Sequence, residues 1–109
     1  IVLKLNYWNR WKADQILNQS IAEILVDWVW GSGKWGIVIP QRLLNVKDDG
    51  IVGPSTIRAI NSVDQKSFHT SVFKARGIFI LDLVKNHPEQ KKFLNGWMNR
   101  LNNFKFSAI

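Results

Sequence analysis

An all-α domain of five or six helices around a tryptophan-rich core is what this sequence predicts, and three observations carry the expectation. Apolar residues recur at helical spacing through most of the chain. Strand-like patterning is nearly absent, and Gly36–Ile39 is the one run that reads either way. The 109 residues are 46% hydrophobic and include six tryptophans, enough for one core in a single domain.

The elements follow in order. Trp8 and Trp11 share a side of the first segment with Leu5. Asn18-Gln19-Ser20 interrupts the pattern, and Ser20 is the expected N-cap of a helix starting at Ile21. In Ile21–Trp30, one face carries Ile21, Ile24, Leu25 and Trp28, and a second carries Ala22, Val26 and Val29. A helix apolar on two faces belongs at the centre of the core. Gly31-Ser32-Gly33 ends it. Lys34–Val46 reads as a further helix with Pro40 as a kink or late start. Pro54–Asn61 is a short helix. Asp64 caps a long one reaching about Asn86, with Phe68, Val72, Phe73, Phe79, Ile80, Leu83 and Val84 as apolar positions. Asn86-His87-Pro88 breaks the chain, because the residue before a proline avoids helical angles. Pro88–Phe104 follows, striped by Phe93, Trp97, Leu101 and Phe104.

Composition narrows the function classes. The absence of cysteine excludes disulfides and thiolate metal sites, and fits an intracellular or a bacterial wall protein equally. No apolar run reaches the roughly 18 residues of a membrane span. Ile78–Val84 is short, carries Asp82 and reads as a buried helix segment. The net charge of +7 and pI near 10.1 favour an anionic partner: nucleic acid, acidic lipid or bacterial wall. The basic residues are dispersed, with Lys91-Lys92 the one adjacent pair, unlike a nucleic-acid arm. The chain opens on Ile1-Val2-Leu3 without Met or a signal peptide, which suggests a fragment beginning inside a longer protein.

Candidate chemistry is sparse. Glu23 and Asp27 share a helix face that Trp30 continues. Two carboxylates beside an aromatic platform suit a sugar-cleaving cleft, where one acid is protonated and the other ionised. The competing and favoured reading pairs each carboxylate with a cation or with water. Trp28 and Trp97 lie on apolar stripes and read as core. Trp30 and Trp35 flank a glycine turn and read equally as core or as platforms for sugar faces. His69 and His87 stand without acidic or cysteine partners at ligand spacing, so no metal and no cofactor is expected. Gly31-Ser32-Gly33-Lys34 lacks the full phosphate-loop pattern and follows a helix rather than a strand.

Gln41–Ile60, QRLLNVKDDGIVGPSTIRAI, carries the densest local signal. Asp49-Gly50 marks a tight turn: glycine accepts a positive φ, and aspartate bonds its own downstream backbone. Gly53-Pro54 opens the next helix, since proline fits the first helical position. Ser55 and Thr56 offer hydroxyls to the first-turn N–H groups. The physics predicts a helix–turn–helix corner. The following helix offers Arg58 alone as a strong phosphate or base reader, so DNA is a poor second reading.

The same residues resemble the Leu-Gln…Asp-Gly-x-x-Gly-x-x-Thr motif of peptidoglycan-binding domains at Gln41, Leu44, Asp49, Gly50, Gly53, Pro54, Thr56 and Ile60. With Tyr7-Trp8, Ile24–Gly33 and Phe93–Arg100, the chain resembles the C-terminal part of glycoside hydrolase family 108, phage-type N-acetylmuramidases with relatives labelled secretion activator proteins. Family members often carry Asp-x-x-x-Asn-Ser-Gly in the central helix. Asp27, Ser32 and Gly33 match, while Gly31 replaces the Asn. The resemblance implies a lysozyme-like helical domain whose parent hydrolyses the β-1,4 bond between muramic acid and glucosamine. The family's acid lies in an N-terminal Glu-Gly-Gly motif, and this chain has no Glu before Glu23. The expectation is therefore a single domain over residues 1–109, inactive alone, with its catalytic segment upstream. Its expected partner is the peptidoglycan glycan strand, not nucleic acid. Asp27, Trp30 and Trp35 are the expected glycan-facing residues, and Gln41, Asp49, Gly50, Gly53, Pro54 and Thr56 the structural motif. The implied setting is the bacterial cell wall or periplasm, or a phage product held in the cytoplasm until release. The alternative is a non-catalytic interaction module of a secretion or phage apparatus.

Overall fold

The computed structural model describes residues 7–107, and all regular structure among them is helical. Residues 7–10 are helical and lead into a 3-10 turn, Ala13–Gln15. Five α-helices follow: α1 (Gln19–Ser32), α2 (Trp35–Leu43), α3 (Pro54–Ser62), α4 (Gln65–Asn86) and α5 (Leu94–Asn102). A 3-10 segment, Pro88–Phe93, joins α4 to α5. The expected first-segment residue Leu5 lies outside the described residues. No helix among them is long and apolar enough to cross a membrane.

Helix α1 is the centre, as its two apolar faces require. Ile21, Ala22, Ile24, Leu25, Trp28 and Val29 are all buried, and both α2 and α4 pack against it. Trp11, Ile37, Ile60, Val72 and Leu101 close the core from the other elements. Trp28 meets Phe79 of α4 edge-on at 6.0 Å, a favourable aromatic geometry. Trp97 is half-buried at the core margin, and the exposed Phe93 leans on it at 5.5 Å.

The helix ends correct the sequence in three places. Asn18, not Ser20, caps α1: its Oδ1 accepts from the Ile21 N–H at 3.1 Å. Ser20 lies inside the helix, and its hydroxyl donates to Asn18 Oδ1 at 2.5 Å and also contacts the Ser107 carbonyl at 3.2 Å. Helix α2 stops at Leu43 rather than Val46. Asn45 takes φ 58°, the Val46 N–H reaches the Gln41 carbonyl and the Asn45 N–H reaches the Arg42 carbonyl. That pair of bonds is a Schellman closure on an asparagine. Finally, Pro88–Phe93 is 3-10 rather than the start of one long helix.

Gly36–Ile39, the ambiguous run, is helical, and Gly36 lets α2 approach α1 closely. A Cβ there would stand 2.6 Å from the Val29 nitrogen and 2.7 Å from the Trp28 carbonyl carbon. Pro40 is buried inside α2 without ending it. Asp64 caps α4 as expected, accepting from the Ser67 N–H at 2.9 Å. His69 of α4 is buried against Phe106, which draws its pKa below the ordinary 6.5 through desolvation.

Candidate functional site

Two constellations stand out, and they differ in kind. One is the turn motif between α2 and α3. Gln41 is fully buried and lies at its hub. Its Oε1 accepts from the Gly50 N–H at 3.0 Å. Its Nε2 donates to the Ile51 carbonyl at 2.9 Å, Thr56 Oγ1 at 3.2 Å and Asp49 Oδ1 at 3.3 Å. Asp49 Oδ1 also accepts from the Ile51 N–H at 3.0 Å, the Asx turn its position predicts, and this bond holds its carboxyl below the usual range. Gly50 takes φ 74°, and Gly53 caps α3 with Pro54 in the first turn. One buried amide thus ties α2, the turn and α3 together. The motif's hydrogen bonds are directed into the protein.

The other constellation is a cleft of about 360 Å³ along α1. Small-ligand sites span roughly 300–1,000 Å³, so its size suits a sugar or short peptide. Gln19, Glu23, Val26, Asp27 and Trp30 form one wall, because helical spacing aligns them. Tyr7 and Trp8 face them from the first segment, and Arg100 and Phe104 from the α5 end. A second, smaller cleft of about 150 Å³ includes Trp28, Gly31, Trp97, Trp30 and Arg100. Trp30 and Arg100 therefore border both clefts.

Asp27 is held by two arginines. Arg76 Nη2 donates to its Oδ2 at 2.5 Å, and Arg100 Nη2 donates to its Oδ1 at 2.5 Å. Burial pulls the Asp27 carboxyl upward, but the bonds and charges of Arg100 and Arg76 outweigh it, leaving a pKa below 3.8. Asp27 is thus a fixed anion and a poor proton donor. Arg76 lies almost wholly inside, bonded also to the Ile24 carbonyl at 3.3 Å and set over the Phe104 ring at 5.4 Å. Arg100 is 45% exposed and its guanidinium stacks on Trp30 at 4.6 Å. Glu23 is exposed and accepts from Gln19 Nε2 at 3.3 Å.

The structure therefore brings Asp27 and Trp30 together at one cleft. It leaves Trp35 elsewhere: half-exposed at the start of α2, with Arg42 over its ring at 5.9 Å, and in the wall of neither cleft. Arg76 and Arg100 escaped the sequence reading as site residues. Arg76 carried a readable signal, since it continues the buried stripe of Val72 and Ile80 on α4 and a charge there needs a partner. Among the described residues, no group of three or more His, Cys, Asp or Glu is arranged to hold a metal ion.

The fold is a small all-helical domain with an aromatic, charge-lined cleft and a helix–turn–helix corner closed by one buried amide. The family model described as "Predicted Peptidoglycan domain" matches residues 35–102. The chain belongs to that family and is a peptidoglycan-binding domain by that membership. The matched region holds the turn motif, Arg76 and Arg100, while Asp27 and Trp30 precede it. No curated protein matches the chain significantly.

Proposed function

We propose that this domain grips a glycan strand of peptidoglycan in the α1 cleft, with Trp30 as the platform beneath a sugar ring and Asp27 as the ionised anchor that fixes Arg100 at the glycan-facing side. The single observation that carries this reading is the half-exposed Trp30 indole, fixed between two clefts by the Arg100 guanidinium, in a chain of the peptidoglycan-domain family. An indole held still in a concave site offers apolar area to a sugar face at little conformational cost.

We propose further that the domain serves a cell-wall-hydrolysing N-acetylmuramidase of glycoside hydrolase family 108, and that the general acid comes from outside these 109 residues. Asp27, ionised between two arginines, is unsuited to protonate a leaving glycosidic oxygen. Trp35 is proposed as an outlying contact that extends the glycan surface along α2. A second reading, a protein-interaction module of a secretion or phage apparatus, draws on the exposed Trp35 and Leu43 of α2.

Sedimentation with purified insoluble peptidoglycan, at low and high salt, tests these readings. The expected result is binding that survives high salt and is lost in Trp30→Ala. Trp35→Ala decides whether the surface reaches α2. Binding that vanishes with salt reduces the interaction to charge attraction. No binding at either salt favours the protein-interaction reading.

A further inference from the structure

The charges along the α1 cleft are not evenly spread. Asp27 has one negative charge and two arginine partners. Arg76, buried behind the wall, already neutralises it. By formal charge the trio of Asp27, Arg76 and Arg100 is positive, and Arg100 is its exposed member. Its Nε and Nη2 face Asp27, and Nη1 makes no hydrogen bond to any described residue. Guanidinium presents five N–H donors, and the remaining ones are free for a planar acceptor. The opposite charge in the cleft is Glu23, one helical turn back along α1 and bonded to Gln19 rather than to Arg100. The cleft thus has a basic end at Arg100 and Trp30 and an acidic end at Glu23.

We propose that Arg100 reads a carboxylate of the bound polymer, so that the cleft separates muramic-acid-bearing strands from uncharged N-acetylglucosamine chains and orients them by charge. This rests on the glycan-binding reading above and names the group recognised at that same site. The geometry that carries it is a half-exposed guanidinium, pre-oriented by Asp27 and by the Trp30 ring, with donors left over beside the platform. A carboxylate docked there accepts charge-assisted bonds while the attached sugar covers the indole. Two sources supply that chemistry: the lactyl carboxylate of strands stripped of peptide, and the free carboxylates of stem peptides.

Calorimetric titration of the domain with three ligands tests the proposal: peptide-free glycan oligomers carrying lactyl carboxylates, disaccharide–peptide muropeptides, and uncharged chitin oligosaccharides. The parent is expected to prefer at least one carboxylate ligand to chitin, and which one identifies the source. Arg100→Gln is expected to lose about tenfold on that ligand, the size of a charge-assisted hydrogen bond, and less than about twofold on chitin. Arg100→Lys keeps the charge without the fork and should fall between. Thermal unfolding of each variant separates a folding loss from a binding loss. A parent that binds chitin and carboxylate ligands alike overturns carboxylate recognition and leaves glycan binding intact. Equal losses on both ligands in Arg100→Gln overturn it too, reducing Arg100 to a support for Trp30. A parent that binds none of the three removes the glycan reading itself, and this inference with it.

Discussion

Arg76 and Asp27 meet at 2.5 Å where α4 crosses α1, and each side chain is about nine-tenths removed from water. A buried ion pair is tolerated when its remaining hydrogen-bonding capacity is met. Here the Ile24 carbonyl and the Phe104 ring complete Arg76, and Arg100 completes Asp27. The arrangement is asymmetric. Asp27 has a second cation in reserve, whereas Arg76 has no second anion among its partners.

That asymmetry predicts unequal mutants. Asp27→Asn leaves Arg76 as an uncompensated buried charge and should cost about 3 kcal/mol or more. Arg76→Met leaves Asp27 paired with Arg100 and should cost less. Urea unfolding decides the order, read as a drop in midpoint at unchanged slope. The pH dependence has a fixed sign. The folded Asp27 pKa lies below its ordinary 3.8, so in the acid range between the two values the unfolded chain holds more protons. Its stabilisation is complete above pH 3.8 and is lost as pH falls through the lower folded value. Asp27→Asn should therefore flatten the acid limb of the stability curve relative to the parent. An acid limb as steep in the variant as in the parent would refute the pairing.

Gln41 makes a sharper case because both ends of its amide are used. Gln41→Ala strands the Gly50 N–H and the Ile51 carbonyl and opens a void between α2 and α3, for a loss of about 2–3 kcal/mol. Gln41→Glu preserves shape but turns the donor nitrogen into an acceptor facing the Ile51 carbonyl and Asp49 Oδ1. It should be the more destabilising of the two at neutral pH and should partly recover as acid protonates the new carboxyl. Thermal unfolding of both variants at two pH values measures this. If either variant keeps parental stability while losing peptidoglycan affinity, the motif is a contact surface and not a knot.

What was legible in the sequence was whatever rests on local chemistry. The helices announced themselves by spacing, and Asp64 as a cap by its place before Gln65. The Asp49-Gly50 turn could be drawn from backbone preferences alone. The α1 cap is ambiguous in the sequence because Asn18 and Ser20 offer the same chemistry two residues apart, and in the fold both side chains also bond the Ser107 carbonyl at the far end of the chain. The stop at Asn45 was readable, since asparagine accepts a positive φ, but the apolar Val46 beyond it extended the pattern. The cleft was half visible. Asp27 and Trp30 share one helix, whereas Arg76 and Arg100 reach Asp27 across 49 and 73 residues of sequence. Only the folded chain brings those charges together.

Gly36 and Gly31 give the last test, because propensity alone ranks them alike. Both lie within helices, where alanine is ordinarily favoured by up to about 1 kcal/mol. At Gly31 a Cβ meets nothing within 4 Å, so Gly31→Ala should stabilise by roughly 0.5 kcal/mol and raise Tm by a few degrees. At Gly36 a Cβ would lie under 3 Å from the backbone of Trp28 and Val29, which cannot rotate away as a side chain could. Gly36→Ala must push α2 off α1, lose contacts around Ile37, and cost about 2–3 kcal/mol, near 10 °C in Tm. Because Trp30 and Asp27 sit on α1, the helix that α2 packs against, peptidoglycan affinity should fall with it. Matched gains in both alanine variants would show that α1 and α2 do not meet at Gly36.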